Sequence, residues 1–144
     1  MSKSIRTYNK EKDRNSVHRI WKECGWLTDD KKQQISADAA IGAGRAFVYD
    51  YKGSAESLVT SADSRLYYNG SVLRHAAITS VTTSRIARNL GAASSTLGYT
   101  LAKEAESGFA TSGLGVFEQG FYNRFGYGTG VYENVIAFDP AWLV

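Results

Sequence analysis

A chain of 144 residues is sized for one domain and is long enough to bury a core. With 43% hydrophobic and 22% charged residues it has a globular balance, and no apolar run approaches the ~20 residues that cross a bilayer, which excludes a membrane span. The net charge of +3 forms no basic stripe interleaved with aromatics, which argues against nucleic acid and suits a small polyanion, while the lone Cys24 excludes an internal disulfide and fits a reducing cytoplasm.

The opening residues Met1-Ser2-Lys3-Ser4-Ile5-Arg6 lack the apolar stretch of a secretion signal, and residues 4–8 read as a short strand. A helix follows over 13–24, with Val17, Ile20 and Trp21 at helical spacing and Gly25 as its stop. His18 falls on the charged face of that helix and is expected in solvent. Residues 30–41 predict a second helix ending at Gly42. Separate short strands are expected at 46–49, 57–60, 65–68 and 76–81, parted by polar turns such as Lys52-Gly53-Ser54 and Asn69-Gly70. Asn69-Gly70 is a strong two-residue hairpin signal, because that turn needs positive φ at both central positions. His75 reads as a strand-end residue.

Leu90, Ala93, Leu97, Leu101 and Ala105 then recur at helical spacing and predict one apolar face of a long helix ending at Gly108. A strand over 109–116, a short helix over 119–124 and a strand over 131–138 complete the chain. The order predicts an α/β (α+β) fold: a mixed, mostly antiparallel central sheet flanked by helices, with one β-α-β crossover. No repeat or linker divides the chain, so residues 1–144 are expected to be one domain. Trp21, Trp26 and Trp142 read as core or edge packing. No His or Cys spacing suggests a metal.

Chemistry concentrates between the last strand of the meander and the long helix, in Val81-Thr82-Thr83-Ser84-Arg85-Ile86-Ala87-Arg88-Asn89-Leu90-Gly91-Ala92-Ala93. A loop opening onto a helix start exposes backbone N–H groups where the helix dipole also favours negative charge. Gly91 and the two alanines permit close approach of a bulky anion, and Arg88 adds a full charge. The pattern suits a phosphate or pyrophosphate; a plain strand-to-helix turn with Arg88 as a solvated charge is the competing reading.

The spacing Arg88-x-x-Gly91-x-Ala93 resembles the (Gln/Arg)-x-x-Gly-x-(Gly/Ala) signature of the GNAT acetyltransferases. Downstream, Phe121-Tyr122-Asn123-Arg124-Phe125-Gly126-Tyr127-Gly128 resembles the Tyr-x-(Arg/Lys)-Phe-Gly-(Tyr/Phe) segment found after the next strand in many of them. With the meander, residues 45–138 look most like the first domain of the enhanced-intracellular-survival (Eis) type. The resemblance implies a GNAT fold and acetyl-coenzyme A as co-substrate. Val81, Thr82 and Thr83 would offer backbone groups to the acyl and pantetheine arm. Arg88, Asn89, Leu90, Gly91, Ala92, Ala93 and Ser94 would surround the pyrophosphate. Phe117 and Glu118 would lie beside the cofactor where two parallel strands splay, and Tyr122 would be the general acid.

The implied reaction passes an acetyl group to an amine of a small molecule or a protein lysine. At pH 7 roughly one lysine-like amine in a few thousand is neutral, so the site needs a base or a lowered amine pKa. Donation from an ordinary tyrosine to a thiolate is uphill by about 2 kcal/mol, and a short helix starting near Tyr122 is expected to stabilise its phenolate and narrow that gap. Glu118 and His75 are near the motifs, but neither matches a base position. In the Eis type that role belongs to the carboxylate at the end of a much longer chain, so this sequence is a free-standing relative or a fragment. Tyr122 also admits a bland reading, as one of nine tyrosines in an aromatic packing layer. The alternative function is a non-catalytic acyl-CoA-binding or partner-binding module, and the free sheet edges are compatible with a homo-oligomer.

Overall fold

The computed structural model of the chain describes residues 3–116, 118, 120–130, 139 and 141. The expected strand over 131–138, together with Phe117 and Trp142, lies outside the described residues.

Strand β1 (Lys3–Thr7) leads into helix α1 (Lys10–Glu23), and helix α2 is Lys31–Gly42. α1 starts three residues before the sequence suggests, because Asn9 supplies the cap: its side chain accepts from the Lys12 amide at 3.0 Å, and Glu11 and Asp13 complement the dipole in the first turn. Asp13 is only 1% exposed and is held by Arg6 of β1 through bonds of 2.6 and 2.7 Å. α2 is capped by Asp30, whose carboxylate accepts from Lys32 N. The structure overturns the solvent position expected for His18. It is buried, and its Nε2 lies 2.7 Å from Asp38 because α2 folds over that flank of α1.

Strands β2 (Arg45–Tyr51), β3 (Ser54–Tyr68) and β4 (Ser71–Thr83) form the meander. Its turns are those the sequence signals, with positive φ at Lys52 and Gly53 and again at Asn69 and Gly70. The separate strands expected at 57–60 and 65–68 are one 15-residue strand. Ser61, Ala62, Asp63 and Ser64, polar or small enough to suggest a turn, instead pair with Ile78, Ala77, Ala76 and His75. Ladder hydrogen bonds are made by the backbone, so a polar stretch opposite a good partner strand extends the hairpin.

Helix α3 (Ala92–Glu106) crosses over to β5 (Thr111–Gly113), which runs parallel to β4. The sheet order is β1-β2-β3-β4-β5. Successive β3 residues face opposite sides: Leu58 packs with Val17, Ile20, Trp21 and Ile41 under α1 and α2, whereas Val59 packs with Ala76, Ile78, Leu97 and Phe109 under α3. The sheet is therefore covered by helices on both faces. Fully burying a side chain such as Leu58 or Leu97 contributes roughly 1.5–3 kcal/mol.

The buried face of α3 differs from the apolar stripe. Leu90 precedes the helix and Ala105 is exposed, while Ala92, Thr96, Leu97, Thr100 and Glu104 are buried. The threonines tolerate this because each hydroxyl bonds the carbonyl one turn back, Thr96 to Ala92 and Thr100 to Thr96, both at 2.8 Å. Glu104 is neutralised by Arg45, whose Nε lies 2.8 Å from it. Among the described residues no helix is long and apolar enough to cross a membrane, and no group of three or more His, Cys, Asp or Glu could hold a metal ion.

Candidate active site

The site begins with a fault in the β3–β4 ladder. Leu58 pairs with Thr82 but Thr60 pairs with Thr79, so β4 carries one residue more than β3 across this step. The extra length is a bulge at Ser80, whose φ of 56° is a left-handed conformation rare for a non-glycine residue. β5 pairs with β4 only from His75 to Ala77. Beyond that point the parallel strands part, and a slot opens between Ile78–Thr83 on one wall and Leu114 and Gly115 on the other. The β4 wall is braced from behind: Trp21 Nε1 donates to Thr82 Oγ1 at 3.3 Å, and Ser57 Oγ donates to Thr82 O at 2.8 Å.

After Thr83 the chain makes a 3₁₀ turn at Arg85–Ala87, capped by the buried Ser84, whose Oγ accepts from Ala87 N at 3.3 Å. The Glu23 carboxylate at the end of α1 accepts from Arg85 N at 2.8 Å, tying this loop to the helix. Asn89 and Gly91 both take positive φ, 64° and 74°. Gly91 is the residue that starts α3, and no side chain caps that end. The first-turn amides of Ala92, Ala93 and Ser94 therefore have no intrahelical acceptor, and all three residues line the slot. Arg88 is exposed, lines the same space and forms no ion pair among the described residues.

The slot is a cavity of about 750 Å³. Of the residues singled out by sequence, it brings together Val81, Thr82, Thr83, Arg88, Asn89, Gly91, Ala92, Ala93, Ser94, Glu118 and Tyr122. Leu90 is 37% exposed and does not line it, and Phe117 lies outside the described residues.

Tyr122 is half-buried, edge-on to Phe121 at 5.0 Å and to Tyr127 at 6.2 Å. The expected phenolate stabilisation is overturned. Gln119 lies outside the described residues, and over the rest of the helix expected at 119–124 the only helical element is a single 3₁₀ turn, Asn123–Phe125, too short to carry a useful dipole. Burial, then the neighbouring Glu118 and Tyr127, push the Tyr122 hydroxyl above its ordinary pKa. It stays protonated at neutral pH but is a reluctant donor.

The sequence reading missed several wall residues. Cys24 and Trp26 arrive from the end of α1, where burial pushes the Cys24 thiol up, against the opposing charge of Arg88. Trp26 is 45% exposed at the cavity and not simply core. Leu114, Gly115, Phe121 and Arg124 complete the far wall. Leu114 and Gly115 were discoverable in principle, since ligands gather beyond the C-terminal ends of parallel strands. Nothing local marks Cys24 or Trp26. His75 is not part of the cavity wall; its Nδ1 is 2.8 Å from Thr111 Oγ1.

Residues 4–130 match the family described as the acetyltransferase (GNAT) domain. Among solved structures, a conserved protein of unknown function from Enterococcus faecalis superposes with a TM-score of 0.79 at 18% identity, covering 88% of this chain and 32% of its own. Eis1 from Mycobacterium abscessus gives 0.72 at 22% identity over 88% of this chain and 31% of that one. A predicted acetyltransferase from Clostridium acetobutylicum, solved with acetyl-CoA, gives 0.72 at 14% identity over 94% and 96%. The chain thus spans about a third of the Enterococcus and Mycobacterium proteins and nearly all of the Clostridium one. No curated protein matches the sequence.

Proposed function

The chain belongs to the GNAT acetyltransferase family, and on that premise we propose that it binds acetyl-CoA in the slot between β4 and β5 and passes the acetyl group to a primary amine. The acceptor is a small-molecule amine or a protein lysine. One observation carries the reading: the uncapped first turn of α3, Arg88 and the Tyr122 side chain converge on a single cavity.

In this reading the diphosphate of coenzyme A sits on the amides of Ala92, Ala93 and Ser94, beside Arg88, where partial and full positive charges add. The pantetheine arm runs along the bulged segment Ser80–Thr83 toward the point where β5 leaves β4. There the neutral amine attacks the thioester carbonyl, the C–S bond breaks, and the amine nitrogen gives up its proton to solvent water. Tyr122 donates its hydroxyl proton to the departing thiolate and recovers one from solvent.

Burial widens the mismatch between Tyr122 and an ordinary thiol, yet the same dry slot raises the basicity of a thiolate formed within it. The transfer depends on both partners sharing that environment. Glu118, the one carboxylate on the described cavity wall, provides a counter-charge for an incoming ammonium. The paired motifs favour an Eis-like relative. A non-catalytic acyl-CoA-binding module is the rival, favoured by a cavity wall that holds no histidine among its described residues.

Calorimetric titration with acetyl-CoA, followed by release of free thiol in the presence of polyamines or lysine peptides, tests the proposal. Binding with turnover supports it. Binding without turnover on any amine leaves the non-catalytic reading standing, and no binding refutes both.

A further inference from the structure

We propose that Arg124 binds the ribose 3′-phosphate of coenzyme A, so that the cofactor is held at two separate phosphate groups; this rests on the acetyl-CoA reading above. Arg124 lines the same cavity as Arg88 and the first turn of α3, from the segment that follows β5. Its guanidinium carbon lies 4.3 Å from the ring centroid of Phe121 and 5.7 Å from that of Phe125. Its Nε donates to Phe121 O at 3.0 Å. These contacts fix the plane of the group while using one of its five N–H donors. The two terminal nitrogens meet no carboxylate among the described residues.

Arg124 shares that isolation with Arg88 on the same cavity, whereas the arginines that brace the fold are paired. Arg6, Arg14, Arg19, Arg45 and Arg74 each contact an Asp or Glu. A stacked, pre-oriented arginine with its outer donors unspent loses little freedom on taking up an anion, and its fork matches a phosphate. The α3 amides and Arg88 follow β4 whereas Arg124 follows β5, so the proposal gives Arg124 an anion distinct from the diphosphate. Phe125 gives the distance. It packs against Gly98, where an added Cβ would lie 3.6 Å from Phe125 Cε1. Gly98 lies six residues beyond Ala92, so Arg124 sits beside the second turn of α3, on the order of 9 Å from the diphosphate amides along the helix. A phosphate carried on the ribose next to the diphosphate is within reach of that guanidinium.

Dephospho-CoA, which lacks only the 3′-phosphate, separates this contact from the rest of the cofactor. Calorimetry on the unaltered chain and on Arg124→Ala and Arg124→Lys, with both ligands, is the test. We expect Arg124→Ala to weaken CoA about tenfold, to leave dephospho-CoA unchanged, and Arg124→Lys to recover part of the loss. Equal weakening of both ligands would mean that Arg124 only props the wall, and would overturn the assignment. So would unchanged CoA affinity with a raised KM for the amine, which would give the guanidinium to the acceptor instead. CoA binding absent from the unaltered chain refutes the cofactor reading and this assignment together, whereas the other two failures leave that reading intact.

Discussion

The imidazole of His18 on α1 and the carboxylate of Asp38 on α2 lie 2.7 Å apart, and Arg14 Nε reaches the same carboxylate at 2.8 Å. This cluster ties α2 to α1, the helix whose end delivers Cys24 and Trp26 to the cavity. Its members are one turn apart on α1, so a single acid on α2 meets both.

Burial works against ionisation of Asp38, but hydrogen bonds from Arg14 and His18 outweigh it and hold its carboxyl below the usual value. A depressed carboxylate contributes stability above its unfolded pKa of ~3.9 and loses it as pH falls through the lower folded value. Asp38→Asn should therefore lower the urea midpoint at pH 7 by the equivalent of about 1–2 kcal/mol. The gap between variant and parent should close toward pH 3. A gap that is independent of pH would show that the effect is packing alone.

Arg45 and Glu104 tie the start of β2 to the last turn of α3, and Glu104 is 2% exposed. Arg45→Met should cost about 3–5 kcal/mol, since it leaves a buried carboxylate without its cation. Adding Glu104→Leu should restore most of that loss, because an apolar pair avoids the desolvation penalty. Denaturant melts of the two single variants and the double variant read the coupling directly. Additive losses would show that the two charges do not depend on each other.

At Gly91 an added Cβ meets nothing within 4 Å, so substitution there is limited by its φ of 74° and not by space. Gly91→Ala should destabilise by about 1–2 kcal/mol, whereas Gly91→Asn, which tolerates that conformation, should cost less. Both retain the backbone amides, so Gly91→Asn is expected to keep more CoA affinity than Gly91→Ala. Thermal melts and calorimetry together decide it; equal behaviour would mean the loop rearranges freely.

Tyr122→Phe keeps the ring contacts with Phe121 and Tyr127 while removing the donor. Turnover should fall about 10²–10⁴-fold with CoA affinity unchanged. Because burial, Glu118 and Tyr127 raise its pKa, Tyr122 remains protonated past the ordinary tyrosine range. The basic limb of the parent's activity profile should therefore begin at a higher pH than an ordinary tyrosine would give. Parallel loss of turnover and binding would assign Tyr122 to packing.

Much of the fold was legible because its signals are local. Asn69-Gly70 and Lys52-Gly53 turn as their positive φ values demand. The strand–loop–helix order around Arg88 and Gly91 likewise marked one long wall of the cavity. Signals that depend on partners misled. Ser61–Ser64 reads as a turn until β4 lies alongside, and His18 reads as solvated until α2 covers it. The apolar stripe of α3 missed Thr96, Thr100 and Glu104, whose polar atoms are satisfied only by backbone carbonyls within the folded helix or by Arg45 on another strand.

By itself the sequence determined the order of elements, the turns and the glycine start of α3, since each follows from residues within a few positions of one another. The tertiary structure decided that this uncapped start faces a cavity. One extra residue in β4, accommodated at Ser80, and the departure of β5 after Gly113 separate two strands that would otherwise pair. It also decided the state of Tyr122: Glu118 and Tyr127 are near it in sequence, but the desolvation that dominates comes from packing against the cluster of Val59, Ile78 and Leu97, which no local pattern encodes.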